Sequence, residues 1–143
     1  MTDEDDVIPE APEGFVRSNG RGAFSTRNGP YFHRLGEGRS VEQAFFALPR
    51  HTNGIGIVHG GMLSAFADGL LAGAVGRGSG KIAVTIHLSL DYLHMARKGD
   101  WVIGEAAMSR ATRDVAFADG RLHVRGVDIV RCSGVFKLMD RSI

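Results

Sequence analysis

Asp68 stands in a run of apolar and small residues from Met62 to Val75 that is otherwise interrupted only by Ser64. If that run is helical, the neighbours three and four positions away are Ser64, Ala65, Leu71 and Ala72, so no cation is placed to pair with the carboxylate. An ionised carboxylate in such surroundings is costly to hold, and one tends to be kept where a base or nucleophile is needed. A structural carboxylate bonded to backbone or capping a neighbouring element accounts for the helix pattern equally well. Upstream, His59-Gly60-Gly61 opens the run and places two residues without side chains at a helix start. Backbone N–H groups there lack intrahelical partners and the helix dipole is positive, so a developing oxyanion can be held. Thioester hydrolysis needs such a site together with a base or nucleophile, and little acid assistance, because a thiolate leaves with a pKa of about 8.5. Taken alone, the two glycines equally serve to let the loop turn closely.

The stretch Asn53-Gly54-Ile55-Gly56-Ile57-Val58-His59-Gly60-Gly61-Met62-Leu63-Ser64-Ala65-Phe66-Ala67-Asp68 resembles the core motif of the phenylacetyl-CoA (PaaI-type) thioesterases of the hotdog superfamily. The similarity continues through Thr85 to Tyr92, Gly99-Asp100 and Cys132-Ser133-Gly134-Val135-Phe136, and so covers the chain from Tyr31 to its end. The resemblance implies an acyl-CoA hydrolase whose active sites lie between two subunits. It assigns Asp68 as nucleophile or general base and the Gly60 N–H as the group that polarises the thioester carbonyl. Asn53 then helps place the thioester or water, and Thr85 supports the attacking group from the same subunit as Asp68. His59 and Gly61 border the substrate. Because a histidinium is disfavoured at a helix N-terminus, the His59 imidazole is expected to bond backbone or orient the loop rather than act as a base. The chain departs from the family in the loop His94-Met95-Ala96-Arg97-Lys98, which lacks the proline often found before Gly99-Asp100.

Other chemistries find little support. His33, His51, His87, His94 and His123 show no metal-ligand spacing with one another or with Cys132, so no metal is expected, and no cofactor. Ser64 and Ser133 lie outside any Gly-x-Ser-x-Gly elbow. Gly76 to Gly80 follows a helix and lacks the Lys-Ser or Lys-Thr of a phosphate loop. Arg77, Arg97, Lys98, Arg110 and Arg113 flank element ends and could meet CoA phosphates, but charged residues in such places are usually solvated and none is singled out. Seventeen basic against sixteen acidic residues leave a net charge of +1, which gives no global reason to expect nucleic acid or a membrane surface as partner. The single cysteine, the acidic start and the lack of a long apolar run point to a cytoplasmic protein.

The elements that must position these residues follow from patterning. Residues 1–14, with an acidic run and two prolines, are expected to form a disordered or loosely docked tail, and residues 15–143 a single hotdog thioesterase domain. From Phe15 to Asn28 a short helix and a loop are equally good readings. Strands are predicted at Tyr31 to Leu35 and Val41 to Leu48, joined through Gly36-Glu37-Gly38-Arg39. The Met62 to Val75 helix lacks a polar face and should be buried inside a sheet. Val84, Ile86, Leu88, Leu90 and Tyr92 alternate with Thr85, His87, Ser89 and Asp91, which marks a half-buried strand and puts Thr85 on the polar face. Further strands are predicted at Trp101 to Met108, Val115 to Val124 and Ile129 to Leu138, with a turn at Gly126 and a bulge at Asp119-Gly120. The fold class is therefore α+β, a curved antiparallel sheet of five or six strands around one long buried helix. Such a sheet leaves an open edge, so a homodimer is expected, with pairing into tetramers left open. The competing function is a module that binds or senses an acyl-CoA without turning it over.

Overall fold

The computed structural model describes residues 7–141. From the N-terminus the elements are β1 (Val16–Arg17), α1 (Gly22–Asn28), β2 (Tyr31–Leu35), β3 (Val41–Phe46), α2 (Gly60–Ser79), β4 (Ile82–Tyr92), β5 (Trp101–Ala111), β6 (Val115–Val124) and β7 (Val127–Met139). The strands form one antiparallel sheet in the order β1-β2-β3-β5-β6-β7-β4. It curves around α2, as the patterning and the resemblance led one to expect. The seventh strand is β1, two residues long, in the segment whose secondary structure the sequence left open.

Helix α2 begins where His59 caps it and ends where Gly80, at φ 72°, returns its N–H to the carbonyl of Gly76. A left-handed cap of this kind is open to glycine without steric strain. One face of the helix is fully interior: Leu63, Phe66, Ala67, Leu70, Leu71, Ala74 and Val75 are buried against the inner faces of β3 to β7. Phe66 sits among Tyr31 and Phe45, stacked on the first and edge-on to the second. The opposite stripe of Ser64, Ala65, Asp68, Gly69, Ala72, Gly73 and Gly76 is only half-buried. The expectation that the helix is buried all round is thus corrected for a single chain. The sheet covers one side only, and an apolar or small-residue stripe is left open beside Asp68.

The sheet register also corrects two readings. No bulge occurs at Asp119-Gly120, whose pairing with Ser133 and Cys132 on one side and Ala107 and Ala106 on the other is regular. The irregularities lie between Leu122 and His123 and between Met108 and Arg110. Gly120 is needed there for closeness instead, since a Cβ would come within 2.7 Å of the Glu105 carbonyl oxygen. The second correction concerns β4, which carries a bulge between Thr85 and His87. A bulge inserts one residue and shifts every residue beyond it to the other face. Thr85 consequently pairs with Phe136, and Leu88 and Leu90 with Gly134 and Cys132, all on the helix side. His87, Ser89 and Asp91 face out opposite Val135, Ser133 and Arg131. Val84 and Ile86, which the alternation grouped with Leu88 and Leu90, are exposed instead.

Of the segment 1–14, residues 1–6 lie outside the described residues, while Ile8 and Ala11 pack with Phe15, Phe32 and Ala44 against Trp101 and Ile103 on the outer face of the sheet. Among the described residues no helix is long and apolar enough to cross a membrane.

Candidate active site

The bulge at Ile86 puts the Thr85 hydroxyl against the open stripe of α2, where it donates a hydrogen bond to Asp68 Oδ1 at 2.6 Å. That length is typical of a hydroxyl bound to an ionised carboxylate. Asp68 is half-buried and borders a cavity of about 400 Å³ lined by Gly61, Ser64, Ala65, Gly69 and Leu88, with Phe24 and Ser25 of α1 as its outer wall. No salt bridge reaches Asp68 among the described residues, so the threonine is the side chain that orients it.

At the N-terminus of α2 a second group assembles. His59 accepts a hydrogen bond at Nδ1 from the Gly61 N–H at 2.8 Å, so the imidazole caps the helix through backbone and carries no proton at that nitrogen. The Gly60 N–H keeps no partner among the described residues. Two unfilled N–H groups at this helix start would compete for one acceptor; His59 occupies one and leaves the other. Asn53 stabilises the preceding turn, its Oδ1 accepting from the N–H groups of Ile55 at 3.0 Å and Ile57 at 3.2 Å. Its Nδ2 donors have no partner among the described residues, and the residue is exposed. Backbone bonds from Val58 to Ala96 and from His59 to His51 fix the loop to the rest of the domain.

Asp68 and Thr85 are therefore brought together in one place, and Asn53, His59 and Gly60 in another, while Gly61 both caps onto His59 and borders the near end of the Asp68 cavity. The two places are separated by roughly 12 Å along α2 at 1.5 Å per residue. Two features escaped the sequence reading. Tyr92 donates its hydroxyl to the Gly60 carbonyl at 2.9 Å and so holds the first peptide of the helix from the far end of β4. The other is α1, whose Phe24 and Ser25 wall the Asp68 cavity. The first carries a signal in its alternation with a hydroxyl-bearing aromatic at a strand end. The second carries none, because a seven-residue helix with no buried residue lacks an apolar period.

The family model for the Thioesterase superfamily matches residues 55–129. The chain is similar to the protein named "Putative esterase PA0474" of Pseudomonas aeruginosa, with 36% identity over 129 residues, 89% of this chain and 96% of that protein. Among solved structures, a phenylacetic acid degradation-related protein of Ralstonia eutropha JMP134 shares 28% identity at a TM-score of 0.67, covering 73% of this chain and 82% of that one. A hypothetical thioesterase of Streptococcus pneumoniae TIGR4, solved with coenzyme A, superposes with a TM-score of 0.72 at 18% identity over 77% and 89% of the two chains, a likeness of fold.

Proposed function

The chain belongs to the thioesterase superfamily, with a hotdog fold of PaaI type, and we propose that it hydrolyses an acyl-CoA to the free acid and coenzyme A. The observation that carries the reading is the Thr85 hydrogen bond that aims Asp68 into an open cavity on the one stripe of α2 the chain leaves uncovered. Asp68 attacks the thioester carbon directly, or takes a proton from the water that does. The carbonyl oxygen gathers negative charge in the tetrahedral intermediate, and a Gly60 N–H at a positive helix end is suited to receive it. Collapse breaks the C–S bond, and the thiolate leaves and takes up the proton released by water. In the direct route the one water enters after the C–S bond has broken, hydrolyses the acyl-aspartyl anhydride and releases the proton that the thiolate takes up.

The smallest competent unit in this reading is a homodimer. Among the described residues, strand β4 pairs only with β7 and leaves an eleven-residue open edge carrying exposed Val84 and Ile86. Long exposed edges are templates for pairing with another chain. A two-fold partner joined at this edge can set the Gly60 end of one helix beside Asp68 of the other, which a single chain does not do. The likeness to a structure solved with coenzyme A supports the substrate class.

The experiment is thiol release from a panel of acyl-CoAs by the wild type and Asp68→Asn. The amide has nearly the same shape and is neither nucleophile nor base, so kcat should fall by more than about a hundredfold while substrate affinity is kept. Near wild-type turnover by Asp68→Asn removes the catalytic assignment. Saturable acyl-CoA binding with no thiol release by the wild type favours the binding module.

A further inference from the structure

Beyond the Asp68 cavity, and sharing Ser25 and Gly69 with it, a groove of about 620 Å³ continues along α2 toward its C-terminal end. Arg21, Arg77, Lys81 and Arg141 line it, and among the described residues no carboxylate does. Three of these cations are anchored away from the Asp68 end: Arg77 donates to the carbonyls of Ser40 and Gly38, Arg141 to that of Gly80, and Lys81 lies 3.9 Å from Asp140. Arg21 is different. Its guanidinium lies 4.9 Å from the centre of the Tyr31 ring, and Nη1 donates to Gln43 Oε1 at 3.1 Å. Among the described residues its Nε and Nη2 have no acceptor, nor does Nε2 of Gln43, a residue only 7% exposed.

These donors lean on consecutive turns of the same helix face. A Cβ at Gly69 would stand 3.0 Å from Arg21 Nη2, and one at Gly73 would stand 3.0 Å from Gln43 Nε2. Positions four apart are neighbours on a helix surface, so the two glycines make room for a pair of donors side by side. Burial presses the Arg21 guanidinium below its ordinary pKa, opposed in smaller measure by Tyr31, and among the described residues no carboxylate lines the groove to pair with it. A planar fork beside an amide donor matches a carboxylate, which accepts two parallel bonds.

We propose that Arg21 and Gln43 form a carboxylate subsite for the acyl half of the substrate, which makes the enzyme selective for CoA thioesters of short dicarboxylic acids. The proposal rests on the thioesterase reading above, which places the thioester carbon at Asp68. Arg21 lies beside Gly69, the residue that follows Asp68, whereas the phosphates of coenzyme A are held away from the thioester by the long pantetheine arm. An anion at Arg21 therefore belongs to the acyl group, at the short reach of a glutaryl or adipyl chain.

The test compares glutaryl- and adipyl-CoA with pentanoyl- and hexanoyl-CoA in the wild type and Arg21→Met, which keeps an unbranched stem over Tyr31 and removes the fork. The wild type should favour the carboxylated thioesters in kcat/KM by about tenfold or more, the value of a charge-assisted hydrogen bond. Arg21→Met should abolish that ratio and leave the neutral substrates within about twofold, and Arg21→Gln, which keeps a donor without the charge, should behave alike. Equal wild-type rates on both classes, or a loss shared by both in Arg21→Met, overturns the proposal. Pantetheine thioesters of the same acids separate the other source of negative charge: an Arg21→Met defect that disappears with them assigns the residue to a CoA phosphate and overturns the acyl subsite. If no thioester is turned over, the hydrolase reading fails by itself. Binding of non-hydrolysable thioether analogues then decides the subsite, supported by a wild-type preference for the carboxylated analogue that Arg21→Met loses, and overturned by equal binding.

Discussion

Replacing Thr85 by Val isolates the contribution of the hydroxyl that meets Asp68. The substitution keeps the branched shape and strand preference of the side chain, so β4 and its bulge beside Ile86 should be retained. What it removes is one short hydrogen bond to Asp68 Oδ1, 2.6 Å between oxygens. A hydrogen bond to a charged group contributes about 1.5 to 3 kcal/mol, which at 1.36 kcal/mol per decade is about a ten- to hundredfold effect. Both residues are partly open to solvent in the single chain, and water can replace the hydroxyl, which favours the lower figure. A partner subunit that closes the cavity moves the effect toward the higher one. The loss should fall on kcat, because the bond orients the attacking group and does not touch the acyl or nucleotide parts of the substrate. Thr85→Ser, which returns the hydroxyl, should recover most of the rate. Steady-state thiol release, with melting temperature as a control for the fold, measures all three proteins. Wild-type kcat in Thr85→Val, or equal damage in Thr85→Ser, refutes the reasoning.

Three further outcomes follow from groups outside the site. His123 is held neutral in the fold, its pKa lowered first by burial and then by Arg121, against the opposing charges of Glu105, Asp128 and Glu42, and its buried Nδ1 has no partner among the described residues. The unfolded chain protonates that histidine near pH 6.5, so stability is full above this value and declines as pH falls below it; His123→Gln should flatten that decline in urea midpoints, and an unchanged slope counts against it. The Cys132 thiol is pushed up to about 11 by burial and by Asp119, so at pH 8 it should resist an aromatic disulfide reagent in the native protein and react fully in denaturant; rapid native labelling would contradict this. Ile86→Lys places a charge on the exposed β4 edge and should shift sedimentation from dimer toward monomer with loss of turnover, whereas an active wild-type monomer at assay concentration rules the edge interface out.

The parts of this fold that were legible in sequence are those set by local rules. Strands β2 and β6 start and stop where their apolar alternation and glycine turns place them, and α2 starts at the His59-Gly60-Gly61 signature. The bulge at Ile86 was not legible, because it is defined by the partner strand: only pairing with Phe136 and Val135 shows that one residue is extra. Its effect on the site is large, since strict alternation turns Thr85 away from the helix and the bulge turns it back. The docking of Ile8 and Ala11 was hidden for a similar reason. Their partners Phe32, Ala44 and Trp101 become a surface only once β2, β3 and β5 are in register. Asp68 was legible as a carboxylate without a cation, yet its surroundings were read as a closed interior. The open stripe exists because one sheet covers one side of a helix.

That open stripe links the fold to the arrangement of the site. Within one chain, Asp68 and Thr85 face a cavity in the middle of α2, while the free Gly60 N–H and the Asn53 amide lie at the helix start. A thioester carbon and its carbonyl oxygen are a single bond apart, so a nucleophile and an oxyanion donor separated by roughly 12 Å along one helix cannot both serve it. Each half is nonetheless prepared: the carboxylate is oriented by a hydroxyl, and one helix N–H is occupied by His59 while the next is left free. The uncovered residues along this stripe, Ser64 and Ala65 before Asp68 and Gly69, Ala72 and Gly73 after it, are small enough to let another backbone approach closely. The edge strand beside them, β4, is long, open on its outer side among the described residues, and apolar at Val84 and Ile86. Two-fold pairing at that edge answers three features together, the open strand edge, the open helix stripe and the divided groups of the proposed mechanism. A monomeric enzyme would leave each of them to be explained separately.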